Sequence, residues 1–320
     1  MKIKGEKPMR PIEGTWFEFQ HHNTAEGKYY NEAMHNFTAE QWAAKVEEFA
    51  NLGMKYFVLM ESALYDKAYF PTSIYPMDET LACKNPIENL LTAADKHGIK
   101  VFMSAGYYGN WVETHNNMVS PEVTKRAFQA MGELYNQFSH HDSFYGWYLP
   151  DEEGVREYYS EDLINYVNKY AAEAKRLGGN KKMLIAPYGT NHVNADAKFI
   201  KQLESLDVDF IAYQDEIGVQ KSTVDQTPRY FETLKKLHDK AGRSQLWADI
   251  ELFEFEGKVY HSALLPAKAE RVQKQIEAVS PFVETILAYE ALGMMNAPDT
   301  KAYAGHPDST KLYTEYKKLL

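Results

Sequence analysis

The chain has 320 residues, 44% hydrophobic and 25% charged, with a formal net charge of −10. An acidic balance with no Lys/Arg run longer than a pair disfavours nucleic-acid binding. A lone cysteine, Cys83, excludes an intrachain disulfide framework and a cysteine-based zinc cluster, and no apolar run approaches the ~18 residues of a membrane span.

The N-terminal stretch MKIKGEKPMRPIEG is basic but lacks the apolar core of a signal peptide. The compartment stays open: cytoplasmic, or periplasmic or secreted if a leader was removed. The run GTWFEFQ (14–20) then reads as a strand. It leads to TAEQWAAKVEEFANLG, where Thr38 is the expected N-cap, Gln41 completes a capping box and Gly53 ends the helix. KYFVLME (55–61) is the second strand, and Pro86–His97 with Gly98 behind it the next helix. IKVFMSAG (99–106) precedes a Gly/Trp/Asn-rich loop and a helix opening at Ser120–Pro121.

SFYGWYLP (143–150) ends at an acidic triplet and is followed by a helix over 160–177. KMLIAPY (182–188), VDFIAYQD (208–215), QLWADIELF (245–253) and VETILAYEA (283–291) are the remaining strands. Helices are expected near 194–206, 227–240 and 266–279, with a short one at 308–318 closing the chain.

Near-continuous apolar strands alternating with amphipathic helices predict a parallel sheet covered on both faces. Eight such units in this length predict an α/β fold, a single (β/α)8 TIM barrel over residues 1–320 with elongated βα loops and the short C-terminal helix. A doubly wound open sheet is the structural competitor, but no Gly-rich dinucleotide fingerprint follows the first strand.

In a barrel the strand ends face one bowl. Read in order they supply Glu18 and Gln20, Glu61, Tyr107 and Tyr108, Glu152, Tyr188, Gln214 and Asp215, Glu251, then Tyr289 and Glu290. Acids, amides and tyrosines with hardly any lysine or arginine suit a neutral polyhydroxylated ligand. Glu152 stands in Pro-Asp-Glu-Glu, where neighbouring charges raise one another's pKa, and Glu251 is framed by Trp247, Ile250, Leu252 and Phe253. A solvated acidic loop is the plain alternative for the first, a core ion pair for the second.

Paired carboxyls at strand ends are the equipment of glycoside hydrolysis. The sequence therefore predicts a glycoside hydrolase acting on a neutral oligo- or polysaccharide by a retaining, two-carboxylate mechanism, with Glu152 as acid/base and Glu251 as nucleophile. Substrate positioning falls to Glu18, Gln20, Glu61, Tyr107, Trp111, Asp151, Tyr188, Gln214, Asp215 and Tyr289. No cofactor is expected. Nor is a metal, since His21 and His22 would point to opposite sides of a strand and no His-x-His or His-Glu-x-x-His pattern occurs. Two other readings stand beside this one: a carbohydrate-binding barrel without turnover, and a divalent-metal sugar isomerase or lyase using Glu152, Asp215 and Glu251.

GTWFEFQ, GWYLPDEE, IAPYG, IAYQDEIG and LWADIELFE together resemble a bacterial family known as domain of unknown function 4434, whose members are regarded as TIM-barrel glycoside hydrolases. The resemblance implies a barrel with a sugar-binding cleft. More distantly, acids after the fourth and seventh strands are similar to the layout of the large barrel clan of retaining glycosidases. There the fourth-strand acid is the acid/base and the seventh-strand acid the nucleophile, which implies those roles for Glu152 and Glu251. The residue before the fourth-strand acid is usually Asn in that clan. Here it is Asp151, which opens the choice between Glu152 and Glu153.

Overall fold

The computed structural model describes residues 9–178 and 180–320; most of the basic start, MKIKGEKP, lies outside the described residues. Eight parallel strands close into a barrel: β1 (Gly14–Phe17), β2 (Tyr56–Leu59), β3 (Lys100–Ser104), β4 (Phe144–Tyr148), β5 (Lys182–Ile185), β6 (Phe210–Gln214), β7 (Gln245–Glu251) and β8 (Thr285–Tyr289). Closure is made by β1, which pairs Gly14 with Tyr56 of β2 on one side and with Leu287 of β8 on the other. The open-sheet competitor is thereby removed.

The helices between the strands follow local signals in the sequence. In α1 (Ala39–Ala50) the Gln41 amide donates to Thr38 Oγ1 at 3.3 Å, and Thr38 N–H donates back to Gln41 Oε1 at 3.0 Å. Then come α2 (Pro86–His97), α3 (Pro121–Phe138) and α4 (Glu161–Leu177). Helix α2 opens on proline and ends at Gly98, whose φ of 67° is the left-handed turn that glycine takes without penalty. Then follow α5 (Ala197–Ser205), α6 (Thr227–Ala241), α7 (Ala269–Val279) and α8 (Asp308–Lys317), with two shorter helices, Asn31–His35 and Thr114–Val119, in the loops after β1 and β3. Among the described residues no helix is long and apolar enough to cross a membrane.

The structure departs from expectation at two places. Strand β1 stops at Phe17 rather than at residue 20, because Glu18 leaves the ladder and its carboxylate takes a local bond from His21 at 2.7 Å. The seventh unit does not run from strand straight into helix. Phe253–Phe255 pairs with Leu264–Pro266 as a hairpin, so Pro266 closes a strand and α7 begins three residues later.

The lower half of the barrel is filled by aromatic rings. Trp247 stacks on Phe210 with centroids 4.2 Å apart and meets Tyr56 at 5.0 Å, while Phe102 meets Tyr145 edge-on at 5.3 Å. Each such pair contributes ~0.5–1.5 kcal/mol beyond the area it buries. This plug is a rigid floor, and the acids stand above it at the opposite end of the strands.

Candidate active site

Strand β7 reaches the rim with Asp249 and Glu251 on one face, two residues apart, as strand alternation requires. Both line a cavity of about 760 Å³ at the C-terminal ends of the strands. Glu152 lines the same cavity from the other side, in the loop after β4 rather than at the strand's last residue. Aromatic faces from Trp111, Tyr188, Phe253, Phe255, Tyr260 and Tyr289 complete the wall. A second cavity of about 660 Å³ adjoins it, sharing Tyr188 and Lys221.

Glu152 is held at both oxygens. The Tyr148 hydroxyl donates to Oε1, and Gln214 Nε2 donates to Oε2 at 2.5 Å while also reaching the Ala186 carbonyl at 3.0 Å. Loss of solvent pushes its pKa up to about 7, with the Asp151 charge adding to the rise and the two hydrogen bonds opposing it. Glu153 turns away from the cavity and accepts from Ser160 Oγ at the N-cap of α4. Of the two adjacent acids, only Glu152 meets the cleft.

Glu251 accepts from the Val219 amide at 2.9 Å. The loop carrying that amide comes close because residue 218 is glycine: a Cβ there would stand 2.7 Å from the Phe253 carbonyl and 2.9 Å from Glu251 Oε2. Burial, then the neighbouring Asp215 charge, pushes the Glu251 pKa up to about 8. Asp215 lies behind Glu251. Its carboxylate accepts from Gln275 Nε2 at 2.6 Å and from the amides of Ile217 and Glu251, each at 3.2 Å, and burial pushes it up to about 6. Arg271 braces the strand end by donating to the Glu251 and Phe253 carbonyls at 2.9 and 2.6 Å. Asp249 is buried with Oδ1 lacking any partner, and burial with the charges of Glu152, Glu251 and Asp215 holds its carboxyl well above the usual range.

Of the residues singled out from sequence, Glu152, Glu251, Trp111, Tyr188, Gln214 and Tyr289 share the cavity wall. Glu18, Glu61, Tyr107, Asp151 and Asp215 are buried and absent from that wall, and Gln20 does not line it either. Asp151 is tied down away from that wall by Asn117 Nδ2 at 2.7 Å and the Tyr166 hydroxyl at 3.4 Å. Sequence reasoning passed over Asp249, although the alternation in Ala-Asp-Ile-Glu places it on the face of Glu251. It also dismissed His22 and missed Lys221 and Tyr260, all of which loops bring to the wall.

Contrary to expectation His21 and His22 do not diverge, because both lie beyond β1 and their rings sit 4.6 Å apart. Among the described residues, two groups of three His or acidic side chains converge closely enough to hold an ion: Glu18–His21–His22 beside the cavity, and Glu88–His140–His141. Neither contains Glu152, Asp215 or Glu251.

Solved structures with the same fold cover nearly all of this chain. A Bacteroides thetaiotaomicron VPI-5482 protein named a "putative alpha-L-fucosidase" aligns with a TM-score of 0.76 at 17% identity, over 100% of this chain and 99% of its own. The endo-1,4-beta-D-mannanase of Thermotoga petrophila RKU-1 aligns at 0.64 and 12% identity, over 97% of this chain and 100% of its own. An endo-1,4-beta-mannanase of Rhizomucor miehei aligns at 0.58 and 10% identity, over 99% and 96%. Among curated proteins no sequence matches. A family model spans residues 12–302, from just before β1 to past β8, and the chain accordingly belongs to the family described as "Domain of unknown function (DUF4434)".

Proposed function

We propose that the protein is a glycoside hydrolase with Glu152 as acid/base and Glu251 as nucleophile. The observation that carries this reading is the pair of carboxyls on one aromatic-walled cavity at the C-terminal ends of β4 and β7. A general acid works best with a pKa near the working pH, and a Glu152 value of about 7 meets that condition. Protonation of the glycosidic oxygen by Glu152 releases the leaving sugar as Glu251 bonds to the anomeric carbon. Glu152 then takes a proton from water, which displaces the glycosyl ester with net retention.

Glu251 must be ionised to attack, so its value of about 8 requires the cleft to work at neutral to mildly alkaline pH. Trp111, Tyr188 and Tyr289 offer flat faces for sugar rings, and Gln214 fixes Glu152. The adjoining second cavity supports an oligo- or polysaccharide rather than a monosaccharide glycoside as substrate. A panel of nitrophenyl glycosides and plant or host oligosaccharides tests the reading, with proton NMR of the first-formed anomer. Release of a sugar with retained configuration is expected. Tight sugar binding without turnover, or an inverted product, would overturn the activity or the role of Glu251 respectively.

A further inference from the structure

A second group of acids lies where β1, β2 and β8 end, and it is organised unlike the first. Glu18 Oε1 lies 2.7 Å from His21 Nδ1. On its other side His21 Nε2 meets Glu26 Oε2 at 3.2 Å, and Glu26 is itself fixed by Asn23 Nδ2 at 2.7 Å. A carboxylate on the far nitrogen of an imidazole is the arrangement that orients metal-ligating histidines. The adjacent His22 has a buried Nδ1 without a partner, and Glu18 Oε2 also has none. One ligand atom from each of Glu18, His21 and His22 lies within 4.8 Å of the others.

The surroundings carry an excess of acceptors. Glu290 Oε1 is 3.8 Å from His21 Nδ1, and neither oxygen of Glu290 or of Glu61 has a hydrogen-bond partner although both residues are fully buried. Buried polar groups are ordinarily satisfied, so orphaned carboxylate oxygens converging on one imidazole point to a missing positive centre. Burial raises the Glu61 and Glu290 carboxyls, which lets protons neutralise part of this excess. Protons leave the bare His22 Nδ1 and Glu18 Oε2 without explanation.

We propose that Glu18, His21 and His22 bind a divalent cation of the zinc or manganese class, with Glu290 at hand as a fourth ligand. Two imidazole nitrogens and carboxylate oxygen form a donor set suited to such an ion. Binding replaces the His21 Nδ1 proton, which leaves to solvent, while Nε2–H stays on Glu26. His22 also lines the large cavity, its ring 4.6 Å from that of Trp111, so the ion would stand at the cleft wall. The site is independent of the hydrolase reading and is measured by binding alone.

The test uses the full chain, stripped with chelator, dialysed, and titrated with ZnCl₂ and with MnCl₂ by calorimetry. Bound metal is counted by mass spectrometry after gel filtration. One equivalent of one of these ions is expected, with a rise in Tm on binding. Glu18→Gln and His22→Ala should each weaken that binding by roughly tenfold or more and remove the rise. His140→Ala, in the other histidine group, should leave it in place. Should Glu18→Gln fail to fold by circular dichroism, His22→Ala at the half-buried rim decides. Failure of the folded, stripped protein to bind either ion would overturn the proposal. So would an equivalent that survives both substitutions, or one that His140→Ala abolishes.

Discussion

Two groups of carboxyls sit above the same aromatic floor, and they are treated in opposite ways. On the β4–β7 side three acids have donors, Tyr148 and Gln214 for Glu152, the Val219 amide for Glu251, Gln275 and two amides for Asp215, and only Asp249 keeps a bare oxygen. On the β1–β2–β8 side Glu61 and Glu290 have none, and Glu18 keeps one oxygen free. Hydrogen bonds to a carboxylate fix its rotamer and tune its pKa, which chemistry on a ligand requires. Bare buried oxygens instead call for something from outside the chain. Burial therefore does not separate the two groups; the donors around each acid do.

The largest effect should come from breaking the first group at its centre. Glu251→Gln is expected to reduce turnover of every substrate to background, because an amide cannot form a glycosyl ester; azide should rescue Glu251→Gly as the inverted glycosyl azide. Glu152→Gln should cost ~10²–10⁴-fold on substrates with poor leaving groups and spare the first step with activated aryl glycosides. Equal losses on both substrate classes would remove Glu152 as the acid. If both Gln variants keep activity within a few-fold of the parent, neither residue is catalytic, and Asp249, which lines the same wall, is the next candidate.

Smaller effects sharpen the comparison through pH. The rate should rise as Glu251 ionises and fall as Glu152 loses its proton, giving a bell whose apparent pKa values lie near 7 and 8 and belong to the coupled set. Asp215→Asn removes the charge that, after burial, raises Glu251, and because Glu251 lies above Glu152 the alkaline limb should move to lower pH. An unmoved limb would mean Asp215 acts only as a brace. Gln214→Ala removes a bond that favours ionised Glu152; the acid limb should move up and kcat/KM should fall about tenfold, the worth of one charge-assisted hydrogen bond.

The smallest effect concerns stability. The Asp249 carboxyl is raised above its unfolded value, so its contribution is present at low pH and is lost as pH rises through the folded pKa. Asp249→Asn cannot ionise, and its Tm advantage over the parent should grow from about pH 4 upward. Thermal melts across that range read it directly, and a constant difference would mean Asp249 ionises in the folded protein as readily as in the unfolded chain.

Much of this molecule could be read along the chain, since its signals are local. Thr38 with Gln41, Pro86 with Gly98, and Ser120 with Pro121 fix helix ends through bonds between near neighbours. The eight apolar runs identified the strands, and their alternation with helices identified the barrel. Glu152 and Glu251 stood out because acids ending buried strands are costly unless they have a use.

Closure decided the rest, because it joins residues far apart in sequence. Gln214 meets Glu152 across 62 positions, and the Val219 amide meets Glu251 across 32. Only that geometry separates the acids on the cavity wall from Glu18, Glu61, Asp151 and Asp215 behind it. It also folds the chain after β1 so that His21 and His22 lie side by side, where a strand would have set them apart. Sequence set which side chains gather at the rim, through periodicity and capping; tertiary structure set which of them line the cavity, through packing and hydrogen bonds made only when the sheet closes.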